Sequence, residues 1–190
     1  MRKFLKVKLK IFKMKKILVL LFLFAGYINA QEEKESEKIN WLSIEELEAA
    51  QAEEPRKVFV DLYTDWCGWC KRMDKATFQH PEIVKYVNEN FYAVKFDAET
   101  KDTITFLGQE FKFVKQGRKG YNELAAALAN GRLSYPTIVY LDEDLNVIQP
   151  VPGYMDPKAF EQVITYLAGD HYKDQPFEQY KKNYELVLSK

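Results

Sequence analysis

Only two cysteines and two histidines occur among 190 residues. The cysteines stand in one phrase, Trp66-Cys67-Gly68-Trp69-Cys70-Lys71. So small a supply excludes a disulfide framework, and a hydrophobic content of 47% provides a core without one. A closed zinc site needs four ligands, and His80 and His171 are the only histidines that could join the two cysteines. Neither has a partner in the sequence, both read as surface histidines, and no metal site is expected. Internal repeats and low-complexity runs are absent beyond the first 30 residues. The longest apolar run, Ile17–Ala25, is shorter than the roughly 20 residues a spanning helix requires. No cysteine follows it closely enough to carry a lipid anchor.

Positive charge is scarce where nucleic-acid binding would need it. The formal net charge of +0 hides an uneven distribution. Arg2, Lys3, Lys6, Lys8, Lys10, Lys13, Lys15 and Lys16 fall in the first 30 residues, which hold no acid. The remainder has 20 basic against 28 acidic residues, a net charge of about −8. An acidic domain of this kind argues against a nucleic-acid partner.

The basic stretch, the apolar run and the small-residue end at Ile28-Asn29-Ala30 read as a signal peptide over residues 1–30. Met14-Lys15-Lys16 would be a more ordinary start than Met1. The expected product is an extracytoplasmic, periplasmic domain that does not itself span a membrane. Residues 31–40 are charged and lack apolar periodicity, the composition of a flexible linker.

Beyond the linker, Ser43-Ile44-Glu45-Glu46 is a capping box for a helix ending before Pro55. Lys57–Tyr63 is apolar on both faces except for Asp61, the pattern of a central strand. A helix should start near Cys67 and run through Met73, break over 77–81 and resume over 82–90. Phe91–Asp97 is a second strand, with Lys95 inside it. Residues 103–114 read as a hairpin turning at Gly108, 116–120 as loop, and 121–129 as a helix closed by Asn130-Gly131. Strands follow at 137–141 and 147–151, antiparallel to each other, and then a helix capped by Asp156-Pro157 and ending at Ala168. Phe177, Tyr180, Tyr184 and Leu188 recur at nearly helical spacing, so 176–188 reads as an amphipathic helix.

The cysteine pair is the chemical signal. A C-x-x-C between a strand and a helix places its first thiol among unpaired N–H groups and the positive end of the helix dipole, both of which favour a thiolate. A bridge across so short a loop gains little loop entropy, so stabilisation is a poor account of it.

Taken with Tyr135-Pro136-Thr137 and Gly153, this arrangement resembles the thioredoxin-like superfamily over about residues 42–168. Trp66 through Met73, with Thr77 and Phe78, is similar to a secreted bacterial branch with the pattern W-C-x-W-C-K-x-M-x-x-x-T-F. The resemblance implies an α/β, thioredoxin-like fold. It has a central mixed β-sheet flanked by helices on both faces and an insertion before the cis-proline loop. The corresponding division is a thioredoxin-like domain over 41–170 and a C-terminal helical extension over 171–190.

The implied chemistry is thiol–disulfide exchange. Cys67 is the nucleophile, its pKa lowered towards about 7, and Cys70 is the resolving thiol. Asp61 corresponds to the family's buried acid, a proton relay for Cys70, and Lys95 to its partner lysine. Pro136, with a cis bond before it, exposes the backbone of Tyr135 to an extended substrate. Trp66 and Trp69 form an apolar rim, and Gly68 with Trp69 sets the turn between the cysteines. Gly153 is expected to let the last strand approach the site. No bound cofactor is needed.

Disulfide-containing proteins are the expected substrates and a membrane electron donor the expected partner, with reduction or isomerisation favoured over oxidation. Two other readings stand beside this one: a thioredoxin-fold binding or chaperone module with a vestigial disulfide, and, weakest, metal handling. Trp69 occupies the place where the commonest reducing members carry proline, which leaves the potential open. The extra residues 103–119 are candidates for substrate or partner specificity.

Overall fold

The computed structural model describes residues 38–189. The signal-peptide reading and residues 31–37 of the linker lie outside that range. In chain order the elements are β1 (Trp41–Leu42), α1 (Ile44–Glu53), β2 (Lys57–Tyr63), α2 (Gly68–Ala76), α3 (Pro81–Asn90) and β3 (Phe91–Asp97). Then come β4 (Ile104–Phe106), β5 (Gln109–Phe111), β6 (Phe113–Gln116), β7 (Lys119–Asn122) and α4 (Glu123–Leu128). β8 (Thr137–Leu141), β9 (Val147–Pro152), α5 (Pro157–Ala168), a 3-10 turn at His171–Lys173 and α6 (Phe177–Asn183) complete the fold.

The five-stranded sheet runs β1-β3-β2-β8-β9. β1 and β2 pair parallel with β3, whereas β8 pairs antiparallel with both β2 and β9. The central place of β2 follows from its sequence: Val58, Phe59, Val60 and Leu62 are fully buried, as a strand covered on both faces requires. Alternation divides its side chains. Phe59 faces a cluster built with Met73, Ile83, Val87, Phe160 and Ile164. Val58, Val60 and Leu62 face a second cluster with Leu47, Leu124 and Leu128. Helices α2, α3 and α5 thus cover one face, and α1 and α4 the other. This is the mixed, doubly covered sheet expected from the sequence.

The capping signals operate as written. Ser43 Oγ accepts from Glu46 N–H while Glu46 Oε2 accepts from Ser43 N–H, and Asp156 Oδ1 accepts from Ala159 N–H. Such a cap contributes about 1 kcal/mol.

Three local expectations need correction. The loop expected at 116–120 belongs instead to a hairpin, in which β6 pairs antiparallel with β7 around Gly117 at φ 62°. The helix expected from Tyr121 begins at Glu123, because Asn122 ends β7 and caps α4 by accepting from Leu124 N–H. The tail helix stops at Asn183. Residues 184–189 are held instead by Glu161 of α5.

That carboxylate is 0% exposed and accepts from Tyr184 Oη (2.8 Å), Val187 N–H (2.6 Å), Leu188 N–H (2.9 Å), Ser189 N–H (2.8 Å) and Ser189 Oγ (2.5 Å). Burial by itself would raise its pKa, but these donors outweigh burial and hold it down at about 2. A depressed carboxylate stabilises the fold above its unfolded pKa near 4.5, and that stability is lost as pH falls towards 2. Glu161→Gln is therefore expected to cost roughly 2–3 kcal/mol at pH 7. The gap to the unsubstituted protein in urea unfolding should narrow at pH 3. An equal gap at both pH values would contradict this account of the tail.

Candidate active site

β2 ends at Tyr63, and the chain turns through Thr64 and Asp65 before α2 begins. Cys67 is the N-cap residue of α2, and its sulfur accepts from Cys70 N–H at 3.0 Å. The first thiol therefore sits where the helix leaves its N–H groups unpaired. Cys67 and Cys70 are joined as a disulfide, with Cα atoms 5.3 Å apart. Both sulfur-bearing residues are buried, whereas Trp66 (58% exposed), Gly68 and Trp69 (55% exposed) stand in solvent around them. Both exposed indoles adjoin Cys67 along the chain, Trp66 directly before it and Trp69 two residues after it.

The bond before Pro136 is cis. Trp66 packs edge-on against Tyr135, with ring centroids 6.0 Å apart, so the proline loop and the cysteine loop meet at this indole. No turn or loop hydrogen bond among the described residues uses the N–H or C=O of Tyr135. The Tyr135 phenol is pushed up to about 12 by burial, with Glu99 and Asp97 adding to the shift. Gly153 donates its N–H to Pro136 O at 2.8 Å. The expected reason for that glycine is corrected. A Cβ there would meet no atom within 4 Å, so no close approach demands it. Its φ of 99° does, being a conformation that side-chain-bearing residues rarely adopt.

Asp61 and Lys95 are direct neighbours in the β2–β3 register, and Lys95 Nζ lies 3.0 Å from Asp61 Oδ2. Asp61 is 1% exposed and its Oδ1 has no hydrogen-bond partner among the described residues. Alternation puts it on the Phe59 side of the sheet, the side on which Met73 of α2 packs. Burial pushes its carboxyl up to about 6; Lys95 opposes the shift and Asp74 adds to it. Burial would lower the Lys95 ammonium, but Asp61 and Asp74 outweigh burial and raise it, so Lys95 stays charged.

Asp74 is the residue that sequence reasoning missed. It lies on α2 one turn beyond Cys70, and its Oδ1 accepts from Lys95 Nζ. The signal was present, since a carboxylate at i+4 from a buried cysteine shares its helix face. Lys95 thus bridges a buried acid beneath α2 to a partly exposed acid on α2.

A Cβ at Gly68 would meet nothing within 4 Å. Among the described residues no three His, Cys, Asp or Glu side chains converge as metal ligands would. No helix among them is long and apolar enough to cross a membrane.

The sequence pattern that defines the thioredoxin-like domain matches residues 44–168. The thiol:disulfide interchange protein DsbD of Pectobacterium atrosepticum is 31% identical over 121 residues, 63% of this chain and 18% of that protein. The chain thus spans under a fifth of the length of this curated relative. A solved thioredoxin-fold protein from Helicobacter pylori superposes with a TM-score of 0.52 at 22% identity, covering 67% of this chain and 79% of that one. A thioredoxin from Thermus thermophilus superposes at 0.50 and 20% identity, covering 73% and 98%.

Proposed function

This chain belongs to the thioredoxin-like domain family, and from that membership we propose that it is a thiol–disulfide oxidoreductase acting on protein disulfides. The observation that carries the reading is the Cys67–Cys70 pair, with Cys67 as the N-cap of α2 and the Tyr135–cis-Pro136 loop beside it. The similarity to the thiol:disulfide interchange protein supports it.

In the reducing direction the Cys67 thiolate attacks a substrate disulfide. One Cys67–substrate S–S bond forms and one substrate thiolate leaves, taking up a proton. The Cys70 thiol then gives its proton to a base and attacks Cys67 Sγ. The Cys67–Cys70 bond forms, the second substrate thiolate leaves, and two electrons have passed to the substrate. Asp61 is the base for the Cys70 proton, being raised towards neutrality where a carboxyl exchanges protons readily. Lys95 keeps the ionised form of Asp61 tolerable in the core, and Asp74 holds Lys95 in place. Trp66 and Trp69 flank the attacked disulfide, while the free backbone of Tyr135 pairs with the substrate strand.

The leader pattern of residues 1–30 supports a periplasmic setting, and the W-C-G-W-C-K motif supports the secreted bacterial branch. Residues 41–170 are the catalytic domain in this reading, with 171–190 as an extension packed on it. A dithiol in an oxidising compartment needs recharging, so a donor dithiol on the membrane is its expected partner. Equilibration with glutathione tests the direction. A reductant should give a potential near about −270 mV, and a value near about −120 mV would assign oxidation instead.

A further inference from the structure

We propose that the rim of this disulfide selects substrates whose cysteine lies in an acidic segment, with Lys119 and Arg118 of the β6–β7 hairpin and Arg72 of α2 as the specificity-determining cations. The proposal rests on the thiol–disulfide reading and goes on to name its substrate class.

Each of the two indoles beside Cys67 carries a cation. Lys119 Nζ lies 4.6 Å from the Trp66 ring centroid. The Arg72 guanidinium lies 5.3 Å from the Trp69 ring and 5.5 Å from Tyr154. Stacking holds both charges at the rim without neutralising them. Among the described residues, none of Arg72, Lys115, Arg118 and Lys119 forms an ion pair with a carboxylate. Lys119 and Arg72 therefore present positive charge beside the two indoles, on a chain whose residues 31–190 carry a net charge of about −8.

The hairpin is built to present them. From Phe111 to Asn122 there are four basic residues and no acidic one, and among the described residues only Lys112 of these finds a counter-ion, Glu110. Gly120 has to be a glycine, because a Cβ there would collide with the Phe113 ring and with Val114 O. That packing sets the pair Gln116–Lys119 next to the turn and brings Lys119 over Trp66.

The carboxylates nearby oppose the proposed charge preference and so sharpen the test. Glu99 Oε2 accepts from the Trp66 indole N–H, and Asp97 Oδ1 accepts from Glu99 N–H. Asp65 is exposed one residue before Trp66. These acids orient the indole and repel an acidic segment. The cations must outweigh them, and removing the cations should reverse the preference.

Exposed charges of this kind act mainly on encounter, so the effect belongs in kcat/KM and depends on salt. Three disulfide peptides alike except for Glu, Gln or Lys beside the cysteine would be reduced by the full chain, itself reduced to the dithiol beforehand. At low salt the Glu peptide should exceed the Lys peptide by about tenfold, an advantage that fades in 0.5 M salt. Arg118→Glu with Lys119→Glu should invert the order. Lys181→Glu with Lys182→Glu, an equal charge change on α6, should leave it as it was. Equal kcat/KM for the Glu and Lys peptides at low salt, or a preference that survives the hairpin reversal, would overturn the proposal. Cysteine-free Glu and Lys peptides titrated against the oxidised protein, read by tryptophan fluorescence, separate the two claims. Tighter Glu-peptide binding with no turnover of the Gln peptide would uphold the rim and remove the exchange chemistry.

Discussion

Replacing Cys67 with Ser is expected to abolish insulin-disulfide reduction, while replacing Cys70 with Ala should leave substrate covalently held on Cys67. The asymmetry follows from position. Cys67 caps α2 and accepts from Cys70 N–H, so an anion there is stabilised before any substrate arrives. Cys70 lies inside the first turn of α2, beyond the two indoles, and its part is to displace what Cys67 has captured. A serine oxygen at residue 67 would be a poor nucleophile near neutral pH, so the loss should exceed about a thousandfold. An alanine at residue 70 leaves the first step intact and removes the second. Mixed disulfides should then accumulate, visible as a mass increase that dithiothreitol reverses. Insulin turnover unchanged in the Cys67 variant would rule the mechanism out.

Asp61→Asn should slow the resolving step and at the same time stabilise the oxidised protein, two effects of opposite sign from one buried carboxyl. Its raised pKa, about 6, makes the folded state bind a proton that the unfolded chain, with an ordinary carboxyl near 3.8, has already lost. That contribution to stability is complete below the unfolded value and is lost as pH rises through about 6. Above that pH the fold carries a charge in its core, at a cost of about 3 kcal/mol relative to an unshifted group. Asparagine carries no such charge, and Lys95 keeps Asp74 as its counter-ion. Urea unfolding of the oxidised protein should therefore show Asp61→Asn more stable by about 2 kcal/mol at pH 8. At pH 4 the advantage should nearly vanish. Breakdown of the mixed disulfide at pH 7, followed by stopped flow, should slow by about a hundredfold because the base is gone. An advantage of equal size at both pH values would show that Asp61 does not titrate in the folded protein.

What the sequence disclosed depended on how local each feature is. β2, the C-x-x-C turn and the caps at Ser43 and Asp156 depend on neighbours a few residues away, and each lies where the pattern places it. The pairing of Asp61 with Lys95 was legible only through resemblance, because two charges inside apolar strands do not by themselves declare a shared register. Asp74 shares a helix face with Cys70, a local signal, but its contact with Lys95 depends on how α2 lies against β3, which the sequence does not show. The β6–β7 hairpin was hidden by composition: Gly, Lys and Arg resemble loop, and only the Phe113 ring over Gly120 gives the segment its order. The tail misled for the opposite reason. Tyr184 and Leu188 continue a helical spacing, yet the buried Glu161 carboxylate draws residues 184–189 into a non-helical path that satisfies five acceptor contacts.

Exchange requires Cys67 to be the sulfur that reacts first, as an anion. Brief iodoacetamide labelling of the reduced protein from pH 5 to 10, with the modified residue identified by peptide mass, tests that most directly. The predicted result is labelling of Cys67 ahead of Cys70, with a midpoint near about pH 7. Labelling that begins at Cys70, or a Cys67 midpoint at the free-thiol value of about 8.5, would contradict it.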